Sequence, residues 1–188
     1  MLSSSYEYRP LPGQEVPDLN IDVLSGRMWN IKLEEPDFMT MIVFYRGLHC
    51  PICKKYLEEL NGLIDQFKDL GVNVIAISTD KKDNAMKSAD EWDVNQIELG
   101  YGMRLDDAKK WGLYLSSATK EEEPEYFSEP GVFLVQNDGV LYASNVQSMP
   151  FARPHFDDIL QTVKYVKEKN YPARGIVPEV VESQGQGM

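Results

Sequence analysis

Cysteine is nearly absent from this chain, with two among 188 residues, Cys50 and Cys53. So few cannot staple a small secreted scaffold, and a pair two residues apart is more often reactive or metal-binding than structural. Basic charge is also short: 19 Lys and Arg stand against 30 Asp and Glu, a net charge of −11. Phosphate contacts need clustered cations, so neither a nucleic acid nor an anionic membrane is expected as a partner. The acidic excess reads simply as a soluble surface. No apolar run approaches the ~20 residues that a membrane helix requires. The opening stretch MLSSSYEYRP lacks the apolar centre of a secretory signal. A soluble, cytoplasmic protein is therefore expected. No glycine-rich phosphate loop is visible, so no nucleotide is expected, and nothing in the sequence points to another cofactor.

What is present suits one globular domain. The hydrophobic share is 43%, and the length allows a sizeable core. Residues 1–15, punctuated by Pro10, Pro12 and Gly13, read as an N-terminal arm. Leu19, Ile21 and Val23 alternate with polar residues, Ser25-Gly26 signals a turn, and Met28, Ile31 and Leu33 lie on the return path. The run MTMIVFY at 39–45 suits a central strand buried on both faces. Leu57, Leu60, Leu63, Ile64 and Phe67 predict one helix over 51–69, stopped by Gly71. A second strand, 72–78, follows, and the βαβ order implies parallel pairing.

Further on, a surface helix is expected over 81–93 with Ala85, Met86, Ala89 and Trp92 inward. A short strand near 97–100, a helix near 105–113 and a solvated acidic loop at 120–125 come next. Trp92, Trp111, Tyr101 and Tyr114 read as packing residues. Strands 132–136 and 140–146 flank Asn137-Asp138-Gly139, a strong hairpin signal. The last helix, 153–169, carries Phe156, Ile159, Leu160, Val163 and Val166 on one stripe, and a tail at 171–188 is expected to be mobile. The order describes an α/β fold of three layers, a central mixed sheet flanked by helices.

The chemistry centres on Cys50-Pro51-Ile52-Cys53, where the buried strand ends and a helix begins. A helix N-terminus offers unpaired N–H groups and partial positive charge, which favour a thiolate. Pro51 fits the first helical turn, where a missing N–H costs nothing. Arg46, His49, Lys54 and Lys55 add nearby positive or partly positive charge. Two thiols at this spacing can exchange with a partner disulfide, one attacking and the other resolving. Two blander readings stand beside this one. The pair could be half of a zinc site, with only His49 and His155 to complete it, or it could be inert core cysteine.

The segment VFYRGLHCPICK, residues 43–54, resembles the peroxiredoxin-like branch (AhpC/TSA, alkyl hydroperoxide reductase type) of the thioredoxin superfamily. The motif is also similar to the glutaredoxin-type Cys-Pro-x-Cys. The likeness extends over roughly 15–169, through Val16-Pro17-Asp18-Leu19, VNVIAISTD, PGVFLVQNDG and the element from Met149. It implies a thioredoxin-like fold over a redox domain at 16–170. It also implies that Pro130 is the cis-proline facing the redox motif, an ordinary strand-opening proline being the alternative.

In the peroxiredoxin register Arg46 takes the usual proline position, Cys50 the threonine position and Cys53 the peroxidatic position. The family's later arginine falls near Pro130, which leaves Arg46 or Arg153 to replace it. Thioredoxin logic instead makes Cys50 the nucleophile at an exposed helix start and Cys53 the resolver. A thiol–disulfide oxidoreductase using Cys50 and Cys53 is expected, with Arg46, Pro51 and Pro130 in support. A thiol peroxidase acting on hydrogen or organic hydroperoxides, or a non-catalytic binding module, are the alternatives. The expected partners are a protein disulfide or a peroxide, and a thiol electron donor.

Overall fold

A computed structural model describes residues 9–176 of the chain. Its centre is the apolar run foreseen above. Met39–Phe44 forms β3, every residue of which is buried. Met41, Val43 and the following Tyr45 point to one face, and Ile42 and Phe44 to the other. The first face packs on α1 (Pro51–Asn61) and α5 (Phe156–Lys169) through Leu57, Leu60, Phe156, Leu160 and Val163. The second meets Ala108 of α4 (Leu105–Lys110), Trp111 and Phe133. A strand with a core on each side can be apolar throughout, which is why no alternation shows in the sequence.

Seven strands make one sheet, in the spatial order β2-β1-β5-β4-β3-β8-β9. They are β1 (Asn20–Val23), β2 (Met28–Asn30), β3, β4 (Val72–Ile77), β5 (Glu98–Tyr101), β8 (Gly131–Gln136) and β9 (Leu141–Val146). β3 pairs in parallel with β4, and β4 with β5. The β3–β8 and β8–β9 pairs are antiparallel, as are β1–β2 and β1–β5. The sheet is thus mixed, as expected. The Asn137–Gly139 turn closes as the sequence foretold: Gly139 adopts φ +81°, and the Asp138 carboxylate accepts the Val140 N–H at 3.0 Å.

Several expectations need correction. The helix over 51–69 is two helices, α1 and α2 (Ile64–Asp69). The break follows from Asn61, whose buried side chain accepts the Gln96 N–H at 2.9 Å, and from Gly62, a weak helix former. On the return path Ile31 is buried, but Met28 and Leu33 are exposed and β2 turns Trp29 to the core instead of Met28. On α3 (Lys82–Glu91) Ala85 and Ser88 face inward while Met86 and Ala89 face water. The acidic loop is framed by a second small sheet of β6 (Leu115–Ser117) and β7 (Tyr126–Ser128). α4 and α5 are shorter than expected, ending at Lys110 and beginning at Phe156.

The arm and the tail are partly structural. Gly13 N–H donates to Leu141 O at 2.8 Å and Val16 N–H to Gly139 O at 3.0 Å, which lays residues 13–16 along the β8–β9 turn. Tyr142 Oη donates to Tyr171 O at 3.0 Å, which ties the start of the tail to β9. The rest of the expected arm and tail, residues 1–8 and 177–188, lies outside the described residues.

Phe44, Trp111 and Phe133 form an aromatic triangle with ring centroids 5.1–5.6 Å apart. Phe133→Ala should therefore lower unfolding stability by about 3–5 kcal/mol. Met28→Ala, at a side chain 67% exposed, should change it by no more than about 0.5 kcal/mol. Urea denaturation at constant slope separates the two outcomes.

Candidate active site

β3 ends at Phe44, and six residues later Cys50 is the N-cap of α1 with Pro51 in its first turn. The connection is tight. Cys50 N–H donates to Gly47 O at 3.1 Å, and Gly47 adopts φ +130°. The Cys50 sulfur accepts the Cys53 N–H at 3.2 Å, so the thiol takes the place usually held by a Ser or Asp cap. The two cysteines are free and both are buried, Cys50 at 1% exposure and Cys53 at 0%. The exposed helix start expected for Cys50 is thus corrected: the sulfur lies beneath the surface.

Electrostatics separate the pair. The Cys50 thiol is pushed down to about 6, first because the Cys53 side chain hydrogen-bonds to it, then through the Cys53 N–H and the charges of Arg46 and Arg153, with burial opposing. Cys53 is pushed well up, first by burial and then by its bond to Cys50 and that thiolate's charge. A buried pair this close holds a single proton, and it rests on Cys53.

The supporting charge differs from the one expected. Burial, and then the Arg46 charge, lower His49, so it adds no cation near neutral pH. Lys54 turns to the Glu91 carbonyl at 3.2 Å. Two arginines remain. Arg153, from the loop before α5, places Nη1 3.8 Å from Cys53 Sγ and stacks 4.1 Å above the Tyr56 ring. Tyr56 Oη donates to Pro154 O at 2.7 Å, which holds that loop against α1. Arg46 lies 4.6 Å over the Phe127 ring, with Nη2 3.2 Å from Glu123 and Nε 3.3 Å from Glu129.

Pro130 lies beside Arg153, Tyr56 and Pro154 on the same side of the sheet end. It is not the cis-proline that the resemblance implied, since no described peptide bond is cis. With the bond trans, Glu129 N–H reaches Tyr114 O at 2.8 Å and Pro130 O accepts Gln147 N–H at 2.9 Å, so the chain enters β8 extended. Among the described residues no group of three or more His, Cys, Asp or Glu is placed to hold a metal ion. His155 pairs with Glu59 at 3.6 Å, and His49 packs its ring 4.8 Å from Phe127.

The structure thus brings together Cys50, Cys53, Arg46 and Pro51, and sets Pro130 beside Arg153. The sequence reading missed Glu123, Glu129, Tyr56 and Phe127, and it took the acidic loop as plainly solvated although Glu123 bonds Arg46. It also missed Asp80, a carboxylate three residues past the end of β4 and nearly fully buried. That placement was the one signal available.

The model of the AhpC/TSA family matches residues 12–144. The thiol-disulfide oxidoreductase ResA of Bacillus thuringiensis (strain Al Hakam) is 31% identical over 100 residues, which cover 52% of this chain and 53% of that protein. ResA of Bacillus anthracis aligns with the same identity and coverage. The chain thus spans about half the length of the curated relatives it matches. Among solved structures, peroxidoxin BcpB from Mycobacterium tuberculosis superposes with TM-score 0.69 at 19% identity, over 84% of this chain and 99% of that one. A cysteine-to-serine mutant of peroxiredoxin 6 from Arenicola marina gives TM-score 0.73 at 17% identity, over 85% and 74%. The likeness to these structures is one of fold, the thioredoxin-like α/β arrangement described above. With the family model spanning the sheet from the strand-leading arm into β9 and enclosing both cysteines, this chain belongs to the AhpC/TSA family.

Proposed function

We propose that the protein is a thiol–disulfide oxidoreductase in which Cys50 attacks and Cys53 resolves. The observation that carries this reading is the Cys50 sulfur held as the N-cap of α1, where the Cys53 N–H donates to it. Lowered to about 6, this thiol is mostly ionised at neutral pH. The thiolate attacks one sulfur of a partner disulfide, and the other partner sulfur leaves as a thiolate. Cys53 then loses its proton and attacks Cys50 Sγ, expelling the second partner thiolate and closing the Cys50–Cys53 disulfide. The partner gains two electrons, and a thiol donor must later return them. Relatives described as thiol-disulfide oxidoreductases support this chemistry. A cytoplasmic setting is part of the same proposal.

A second reading, thiol peroxidase, is favoured by one contact. Arg153 Nη1 lies 3.8 Å from Cys53 Sγ, where a guanidinium can stabilise a thiolate and a developing oxyanion. The burial of both sulfurs also favours a small oxidant over a bulky one. In that case Cys53 attacks one peroxide oxygen, the O–O bond breaks, and water or an alcohol leaves. Cys50 then condenses with the sulfenic acid and releases water.

Stopped-flow mixing of reduced protein with one equivalent of hydrogen peroxide distinguishes these readings. The oxidoreductase reading expects slow oxidation in wild type, Cys50→Ser and Cys53→Ser, together with rapid exchange with a model disulfide that needs Cys50. Fast oxidation that survives Cys50→Ser, vanishes in Cys53→Ser and drops in Arg153→Ala would establish the peroxidase instead.

The pH dependence follows from the same thiol. Iodoacetamide alkylation of the reduced protein should rise through a midpoint near 6 and level off above it. Arg46→Ala and Arg153→Ala should each move that midpoint upward, because each removes a charge that favours the thiolate. The depressed Cys50 value also adds stability to the reduced fold. Between its folded value of about 6 and the ordinary thiol range, the unfolded chain binds more protons, so stability rises with pH. It is lost as pH falls through the folded value, and urea midpoints of the reduced protein across this window test the sign.

A further inference from the structure

Asp80 has no part in the exchange steps above, yet it is built into the site. It follows β4 and is 2% exposed. Its Oδ2 accepts the Leu48 N–H at 2.7 Å. Its carboxylate lies flat against Gly47, where a Cβ would come within 2.6–2.8 Å of the carboxyl atoms. Three elements hold Asp80 in turn. Its own N–H donates to Ser78 Oγ at 3.2 Å, its carbonyl accepts Gly102 N–H at 2.7 Å, and Asn84 Nδ2 of α3 reaches Oδ1 at 3.5 Å. Gly47 and Leu48 form the turn whose Gly47 carbonyl accepts the Cys50 N–H. Arg46 and Cys50 are the two ends of this turn. A buried carboxylate is costly unless its oxygens are bonded, and this one spends its shortest bond on the turn that leads into the redox motif.

We propose that Asp80 is a positioning residue for Cys50, clamping the Gly47–Leu48 turn so that the Cys50 sulfur stays over the first N–H groups of α1 with Arg46 beside it. The inference rests on Cys50 being the reactive thiolate. It acts through geometry: the carboxylate contacts the turn and no substrate atom, and its negative charge by itself would disfavour a thiolate. The groups packed around Asp80 are Tyr45 just past β3, Ser78 just past β4 and Asn84 of α3, and none of them is a cation that its charge could serve.

The test is the pH profile of iodoacetamide alkylation in full-length reduced protein, for wild type, Asp80→Ala, Asp80→Asn and Cys50→Ser, with thermal melts to verify folding. Asp80→Ala should move the midpoint up by about two units. That leaves roughly a tenth as much thiolate at pH 7 and slows alkylation there about tenfold. Asp80→Asn keeps an oxygen that can accept the Leu48 N–H and loses only the disfavouring charge, so its midpoint should lie at or below the wild-type value. A folded Asp80→Ala protein with an unmoved midpoint overturns the proposal. So does an Asp80→Asn midpoint that rises above the wild-type value, which decides the matter alone should Asp80→Ala not fold. Rapid alkylation that persists in Cys50→Ser identifies a failure of the underlying dithiol assignment instead, because the Asp80 variants do not enter that comparison.

Discussion

One hydrogen bond organises the site: the backbone N–H of Cys53 donates to the sulfur of Cys50. A helix begins with N–H groups that have no partner of their own, and here a sulfur meets that need. The same bond adds to the acidity that the Cys53 side chain gives the sulfur first. The cap is therefore the same atom that the proposed exchange uses as its nucleophile, and stabilising its thiolate also stabilises the first turn of α1. Its burial explains why so much surrounding structure is needed. A buried anion without neighbours would take up a proton, and the Cys53 side chain, the helix N-terminus and two arginines prevent this.

The arginines come from places far apart in sequence and are held differently. Arg46 belongs to the β3–α1 connection and is fixed by Glu123, Glu129 and the Phe127 ring. Ser116 Oγ donates to Glu129 at 2.7 Å, so the small β6–β7 sheet braces the carboxylate that braces the arginine. Arg153 arrives before α5 and is fixed by the Tyr56 ring. The first arginine is shared between carboxylates. The second directs a guanidinium nitrogen at Cys53, and its Nη2 is buried without a protein partner. That difference separates the two chemical readings of the pair: Arg46 contributes to the acidity of Cys50, while Arg153 also faces the sulfur that a peroxidase would use.

The sheet makes these meetings possible. β3 lies between β4 and β8, so the loops that leave the ends of these strands converge. Residues 46–50 follow β3, Asp80 follows β4, and Pro130 precedes the antiparallel β8. Parallel pairing of β3 with β4 puts Gly47 and Asp80 at the same end, close enough that only glycine fits. A side chain at position 47 would meet both the carboxylate and an unfavourable φ.

Local patterns in the sequence were enough for the central strand, the proline-bearing dithiol at a helix start, the Asn-Asp-Gly hairpin and the apolar stripe of α5. Each depends on neighbours in the chain, such as a strand buried on both faces, a cap or a helical period. They were not enough where a long-range contact overrides local preference. The break after Asn61 depends on the turn at Gln96, and the phase of β2 on which side of Trp29 finds the core. The carboxylates around Arg46 were illegible for the same reason. Glu123 is 77 residues from its arginine, and nothing in an acidic loop distinguishes one glutamate from the next. The sequence by itself determined the chemistry available, two thiols at a helix N-terminus. Only the tertiary structure decided which sulfur carries the charge, because that depends on burial and on arginines that folding alone brings near.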